Sequence, residues 1–127
     1  MRTMMLLSMT VALAAAAGTP AKISAKDASA LIAKNKAVLV DVREAEETSG
    51  GVAQPAKLLP TSKINSDEKA LKELLASVPK GTKVVFYCAA GGRAGRAAEK
   101  AAALGYEVAN MGGYDDWVAA GLPTRKP

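Results

Sequence analysis

Apolar residues in this chain gather into two kinds of run. Val38-Leu39-Val40-Asp41-Val42 and Val84-Val85-Phe86-Tyr87-Cys88 are short, rich in β-branched and aromatic side chains, and almost free of polar interruption. Such runs predict strands covered on both faces, as parallel sheets require. Elsewhere the apolar positions return at helical spacing. Ser24 followed by Asp27 marks a helix entry ahead of Ala28, Leu31 and Ile32. Leu71, Leu74 and Leu75 define the inner face of a second helix, capped by Asn65 or Ser66 and stopped at Pro79-Lys80-Gly81. A third, alanine-rich helix is predicted over 93–104, with Ala97, Ala98, Ala101 and Leu104 facing a sheet and Gly105 as its left-handed cap. Residues 106–111 read as a strand, Gly112-Gly113 as a turn, and 114–120 as a last short helix ended by Gly121 and Pro123. Residues 47–65 contain Gly50, Gly51, Pro55 and Pro60 and keep no period, so they read as loop with at most one short strand near Leu58-Leu59. Strands alternating with helices in 127 residues predict an α/β fold: one open, mostly parallel sheet flanked by helices.

The N-terminal pattern is of another kind. Met1-Arg2 is followed by an apolar run over 4–14 broken only by Ser8 and Thr10, and then by Ala15-Ala16-Ala17, small residues of the sort a signal peptidase accepts. Residues 1–17 are therefore expected to be a secretory signal peptide, with cleavage alternatively near Ala21, leaving one domain over 22–127. The run is shorter than the roughly 20 residues a bilayer core demands. The expected product is exported, without stable membrane insertion, and periplasmic if the source is a Gram-negative bacterium. The net charge of +5 is spread among acidic residues with no basic stripe, which gives nucleic-acid binding no support. A mild positive field does suit a small anionic substrate.

Composition then narrows the chemistry. One cysteine and no histidine exclude an intramolecular disulfide, a Cys-His dyad and nearly every zinc site of ordinary composition. No metal and no organic cofactor is implied. Cys88 closes its apolar run, and Ala89-Ala90-Gly91-Gly92 leads from it to the helix opening at Arg93. This geometry can aim several backbone N–H groups and a helix N-terminus at one sulfur, and thereby favour a thiolate near neutral pH. The competing reading of a lone cysteine on an apolar strand is a small buried hydrophobe. Arg93 sits where the helix dipole opposes a cation: it is either solvated on the first turn or placed there for an anionic ligand. Parallel sheets bind ligands at the carboxyl ends of their strands. Asp41 and Arg43 also end a strand there, either facing the same crevice as the thiol or forming a buried pair that locks the loop beneath it.

Cys88-Ala89-Ala90-Gly91-Gly92-Arg93 resembles the rhodanese active-site loop, with glycine three and arginine five residues after the cysteine. The resemblance covers nearly the whole chain beyond the signal. Asp41-Val42-Arg43-Glu44 is similar to the family's Asp-Val-Arg-Glu strand end, and Gly112-Gly113-Tyr114 through Trp117 to Gly121-Leu122-Pro123 to its closing segment. It implies a sulfurtransferase in which Cys88 takes sulfur from a small anionic donor such as thiosulfate, holds it as a persulfide, and passes it to cyanide or a thiol, including a protein thiol partner. It further implies a cradle from the backbone of Ala89, Ala90, Gly91, Gly92 and Arg93, with Arg93 as electrostatic partner of the sulfur. Related phosphatases and arsenate reductases place five residues between cysteine and arginine; here there are four. The chain departs from the family pattern at Ala89 and Ala94, where polar residues are common, and around Gly50-Gly51, where a histidine is usual. A non-catalytic or sulfur-carrier, partner-binding module is the alternative reading.

Overall fold

The computed structural model describes residues 18–127. The expected signal peptide, residues 1–17, lies outside the described residues. In chain order the elements are α1 (Ala25–Ala33), β1 (Ala37–Asp41), α2 (Ala45–Thr48), β2 (Val52–Ala53), β3 (Lys57–Leu58), α3 (Thr61–Ser66), α4 (Glu68–Ala76), β4 (Lys83–Cys88), α5 (Gly92–Ala103), β5 (Val108–Gly113), α6 (Tyr114–Ala119) and β6 (Thr124–Arg125). Four strands form the main sheet in the order β3-β1-β4-β5, and every neighbouring pair is parallel. No helix among the described residues is long and apolar enough to cross a membrane.

Both faces of the sheet are covered, which is why β1 and β4 read as continuous apolar runs. Side chains alternate along a strand. Val84, Phe86 and Cys88 of β4 and Val40 of β1 therefore meet Ile64, Leu71 and Leu75 from α3 and α4 on one side. Val85 and Tyr87, with Leu39, pack on Ala25 and Ala28 of α1 and Trp117 of α6 on the other. The alanines of α5 at 94, 97, 98 and 101 are all buried, leaving that helix free to lie close against the sheet.

Several expectations need correction. Residues 47–65 are not mainly loop: they hold the end of α2, β2, β3 and nearly all of α3. The cap of α4 is Asp67, whose Oδ1 accepts the Lys69 N–H at 3.0 Å, because Asn65 and Ser66 are used up finishing α3. Gly112 and Gly113 belong to β5 rather than to a turn, opposite a register shift between Phe86 and Tyr87. Leu104 is 43% exposed rather than turned to the sheet, because α5 ends at Ala103. Gly105 does take the left-handed conformation, with φ of 95°. At the far edge, residues 21–23 run beside β5: the Asn110 N–H donates to Ala21 O at 2.8 Å and the Ile23 N–H to Asn110 O at 3.0 Å.

Candidate active site

At the carboxyl end of β4 the chain turns through Ala89 and Ala90 and enters α5 at Gly91, the N-cap, whose φ of 108° is a left-handed value that L side chains rarely adopt. The turn points the Gly91 N–H at the Cys88 Sγ, 2.9 Å away, and the Ala94 N–H reaches the same sulfur at 3.4 Å. Both belong to the first turn of a helix, whose N–H groups lack intrahelical partners. Burial by itself would push the Cys88 thiol up, but the N–H groups of Ala94, Gly91, Ala90 and Arg93 outweigh it, and the net shift is downward. Cys88 is 1% exposed while Ala89, Ala90 and Gly92 around it are exposed, so the sulfur lies buried beneath an exposed loop.

Side chains from elsewhere hold this loop. Asn110 of β5 donates its Nδ2–H to Gly91 O at 2.9 Å and accepts the Gly112 N–H on Oδ1 at 2.9 Å. Gly113 leaves room for the Ala89 carbonyl, which a β-carbon at that position would strike. Two residues thus fix the loop from the neighbouring strand, and neither carries a local sequence signal for that role.

The Arg93 guanidinium is held by a carboxylate and still feels the charge of the Cys88 sulfur. Its Nη1 and Nη2 donate to the two carboxylate oxygens of Glu47 at 2.6 and 2.9 Å, a bidentate pair across the loop mouth. The anion beside this cation at the helix start is Glu47, a residue of the chain itself, where a ligand or solvent was the expectation. The Arg93 guanidinium and the Glu44 N–H, which donates to Glu47 Oε1 at 3.0 Å, hold the Glu47 carboxyl down to about 2. Glu44 in turn accepts the Ser62 N–H at 3.0 Å and the Ser62 O–H at 2.5 Å, and these bonds lower its own pKa.

Asp41 and Arg43 do not converge on Cys88. They lie on the opposite face, as the alternation of β1 requires, with Asp41 fully buried and Arg43 6% exposed. Arg43 donates Nε–H to both Asp41 oxygens at 3.1 Å, Nη2–H to Asp41 Oδ2 at 2.8 Å and Nη2–H to Gly51 O at 2.8 Å. Its guanidinium carbon stands 4.2 Å from the Tyr114 ring centroid and 5.7 Å from that of Tyr87. Of the two readings left open by the sequence, the buried pair is the one observed. Of the residues expected to form the cradle, Gly91, Ala90 and Arg93 supply backbone N–H groups to the sulfur, Ala89 and Gly92 form the rim, and Ala94 is an additional donor. Counting one turn into the helix would have found Ala94; the unpaired charge of Arg93 was the signal for Glu47.

A parallel sheet with a cysteine at one strand end, seated in the amides of the following helix, defines a fold class, and comparison places the chain within it. The profile described as rhodanese-like domain matches residues 24–120, and the chain belongs to that family. Among named relatives, human thiosulfate:glutathione sulfurtransferase is 33% identical over 111 residues, covering 80% of this chain and 96% of that protein. An uncharacterized protein of Synechocystis is 32% identical over 116 residues, 90% of this chain, and the chain spans 61% of that protein's length. Among solved structures, human single-domain sulfurtransferase TSTD1 aligns with a TM-score of 0.63 at 32% identity, over 80% of this chain and 97% of the other. A rhodanese-related protein from Thermoplasma volcanium aligns with a TM-score of 0.67 at 25% identity, over 84% and 99%.

Proposed function

We propose that this chain is a sulfurtransferase that carries sulfane sulfur as a persulfide on Cys88. The observation that carries the reading is the collar of N–H groups on the Cys88 sulfur, which favours an anion there against the effect of burial. In the first half-reaction the Cys88 thiolate attacks the outer sulfur of a donor such as thiosulfate. A bond forms from Sγ to that sulfur, the donor's S–S bond breaks, and sulfite leaves with the electron pair. A persulfide anion remains in the collar, whose amides stabilise charge without reorganising. The second half-reaction passes the outer sulfur to cyanide or a thiol and restores the thiolate. Kinship with a thiosulfate:glutathione sulfurtransferase supports this donor and acceptor chemistry. Export is proposed on the apolar run over 4–14 alone, and cell fractionation with N-terminal sequencing tests it.

The deciding experiment is mass spectrometry of the protein after exposure to thiosulfate. Cys88 is expected to gain one sulfur atom, removable by cyanide, while Cys88→Ser gains none and keeps its circular dichroism spectrum. Sulfur transfer that survives in Cys88→Ser refutes the assignment. A carrier or partner-binding module is the second reading, favoured by the engagement of the Arg93 side chain with Glu47, which compensates its charge within the chain. It predicts a persulfide that forms but turns over no small acceptor.

A further inference from the structure

Helix α5 has no capping side chain at its N-cap, Gly91. The Cys88 sulfur takes that place, accepting the Gly91 N–H at 2.9 Å and the Ala94 N–H at 3.4 Å. Glycine has the widest backbone freedom of any residue, so the Gly91 φ of 108° has to be held from outside. The hold is on its carbonyl, which accepts the Gly95 N–H and the Asn110 Nδ2–H, each at 2.9 Å. Oδ1 of the same side chain accepts the Gly112 N–H at 2.9 Å, and this fixes which way the amide faces. Glycines also leave room for it: a β-carbon at position 95 would stand 3.3 Å from Nδ2, and one at position 91 would stand 3.7 Å from it. A glycine inside an alanine-rich helix weakens the helix, and Asn110 supplies the reason for Gly95. The main chain of Asn110 is held from the far edge of β5. Its N–H donates to Ala21 O at 2.8 Å and its carbonyl accepts the Ile23 N–H at 3.0 Å. Hydrogen bonds therefore run without a break from residues 21–23 through Asn110 and Gly91 to the sulfur.

We propose that Asn110 is a positioning residue for Cys88: it sets how the Gly91 N–H is presented to the sulfur, and residues 21–23 act on the same sulfur through it. This rests on the reading of Cys88 as a reactive thiolate and deepens it. Asn110 makes no hydrogen bond to the sulfur and carries no charge. Its part is to keep the collar in one geometry, so that the amides need no reorganisation as charge gathers on the sulfur. Without it Gly91 is free to turn, and the sulfur loses a donor. The charged groups around this arrangement are accounted for separately. Arg93 is paired with Glu47, which also accepts the Glu44 N–H, and Lys22 and Asp116 line a cleft with Asn110 and Gly91.

The test measures two quantities on the full chain: the pH profile of iodoacetamide alkylation of Cys88, and the second-order rate of persulfide formation from thiosulfate near neutral pH. Asn110→Leu keeps the volume of the side chain but neither of its hydrogen bonds. It should raise the alkylation inflection by about one pH unit and slow persulfide formation about tenfold, the equivalent of one charge-assisted hydrogen bond. Asn110→Ala, which adds no apolar surface, should do the same. Ile23→Pro removes the N–H that meets the Asn110 carbonyl and should move both quantities in the same direction by less. Ile23→Ala keeps that N–H, shortens the side chain and should move neither. Leu39→Ala opens a cavity on the sheet face opposite Cys88, so it should destabilise the fold and leave the inflection at the native value. An Asn110→Leu inflection that stays native, or one that Leu39→Ala matches, overturns the positioning role, while a persulfide on native Cys88 keeps the transfer reading standing. A raised inflection in the Asn110 variants of a chain that gains no sulfur supports the positioning role and refutes the transfer reading.

Discussion

Glu47 decides what the charge of Arg93 does. With the bidentate pair in place, the guanidinium is compensated before any substrate arrives, and Cys88 depends mainly on amides. Replacing Glu47 with glutamine removes the compensating charge, and the guanidinium then acts more strongly on the thiolate. The pH profile of iodoacetamide alkylation of Cys88 should therefore inflect lower in Glu47→Gln than in the native chain, and the native inflection itself should fall below the free-cysteine value of about 8.5. An upward shift in the variant contradicts this account. Gly91→Ala should move the inflection the other way, because an L residue at φ of 108° is strained and turns its N–H from the sulfur. The same carboxylate makes a separate prediction about stability. Its folded pKa of about 2 lies below the ordinary 4.5, so its contribution is fully present above about 4.5 and lost as pH falls through about 2. At a third exposed, the Glu47 side chain contributes under about 1 kcal/mol. Thermal melts should show a small gap between native and Glu47→Gln that closes between pH 4.5 and 2; a gap that persists at pH 2 assigns the effect to packing.

At the level of elements, the loop is a junction of β4, α5 and β5, and its shape depends on what the neighbouring strand leaves out. Gly113 is the clearest case, since a methyl group there collides with the Ala89 carbonyl. Gly113→Ala should cost about 1–3 kcal/mol in urea unfolding, as overpacking does, and should also slow persulfide formation, because Ala89 leads into the cradle. A variant that loses stability but keeps the native rate would mean that the loop shifts as a rigid body. At this junction some elements leave a trace in the sequence and others do not. The longer strands and helices were legible because burial on both faces, or on one helical stripe, leaves a periodic trace. Gly112-Gly113 was misread as a turn because glycine marks both a turn and a strand where another backbone approaches closely. The short elements of 47–65 leave too few positions for any period, and distant partners hold them. Val52 and Ala53 of β2 pair with Arg125 and Thr124 of β6, and α3 is anchored by Thr61, whose Oγ1–H and N–H both donate to Val42 O. In the site, Cys88 and its glycine loop were readable because turn chemistry is local; Asn110 and Glu47 were not, since their roles depend on contacts 19 and 46 residues away in sequence.

Across the whole molecule, the sheet separates two tasks. Its Cys88 face carries the thiol, while the other carries a polar lock in which Arg43 ties the end of β1 to the Gly51 carbonyl and lies over Tyr114 of α6. Tyr87 completes the lock: its hydroxyl oxygen accepts the Ala53 N–H at 3.0 Å, and burial beside Asp41 pushes its pKa well above the phenol range, keeping it neutral. Asp41 and Tyr87 are already paired in the main sheet, but the bonds to Gly51 and Ala53 and the contact with Tyr114 tie segments outside it to β1 and β4, so they bear on global stability rather than on sulfur chemistry. Removing one partner strands a buried charge. Arg43→Met leaves Asp41 unpaired and should cost about 3–5 kcal/mol in urea unfolding. The double variant Asp41→Leu with Arg43→Met removes both charges and should recover a large part of that loss, since the desolvation of an orphaned carboxylate no longer arises. In both variants, the alkylation profile of Cys88 in the folded protein should match the native one, because the lock faces away from the sulfur. A profile displaced by as much as that of Glu47→Gln would show that the two faces are coupled through β4, and the separation of tasks would fail.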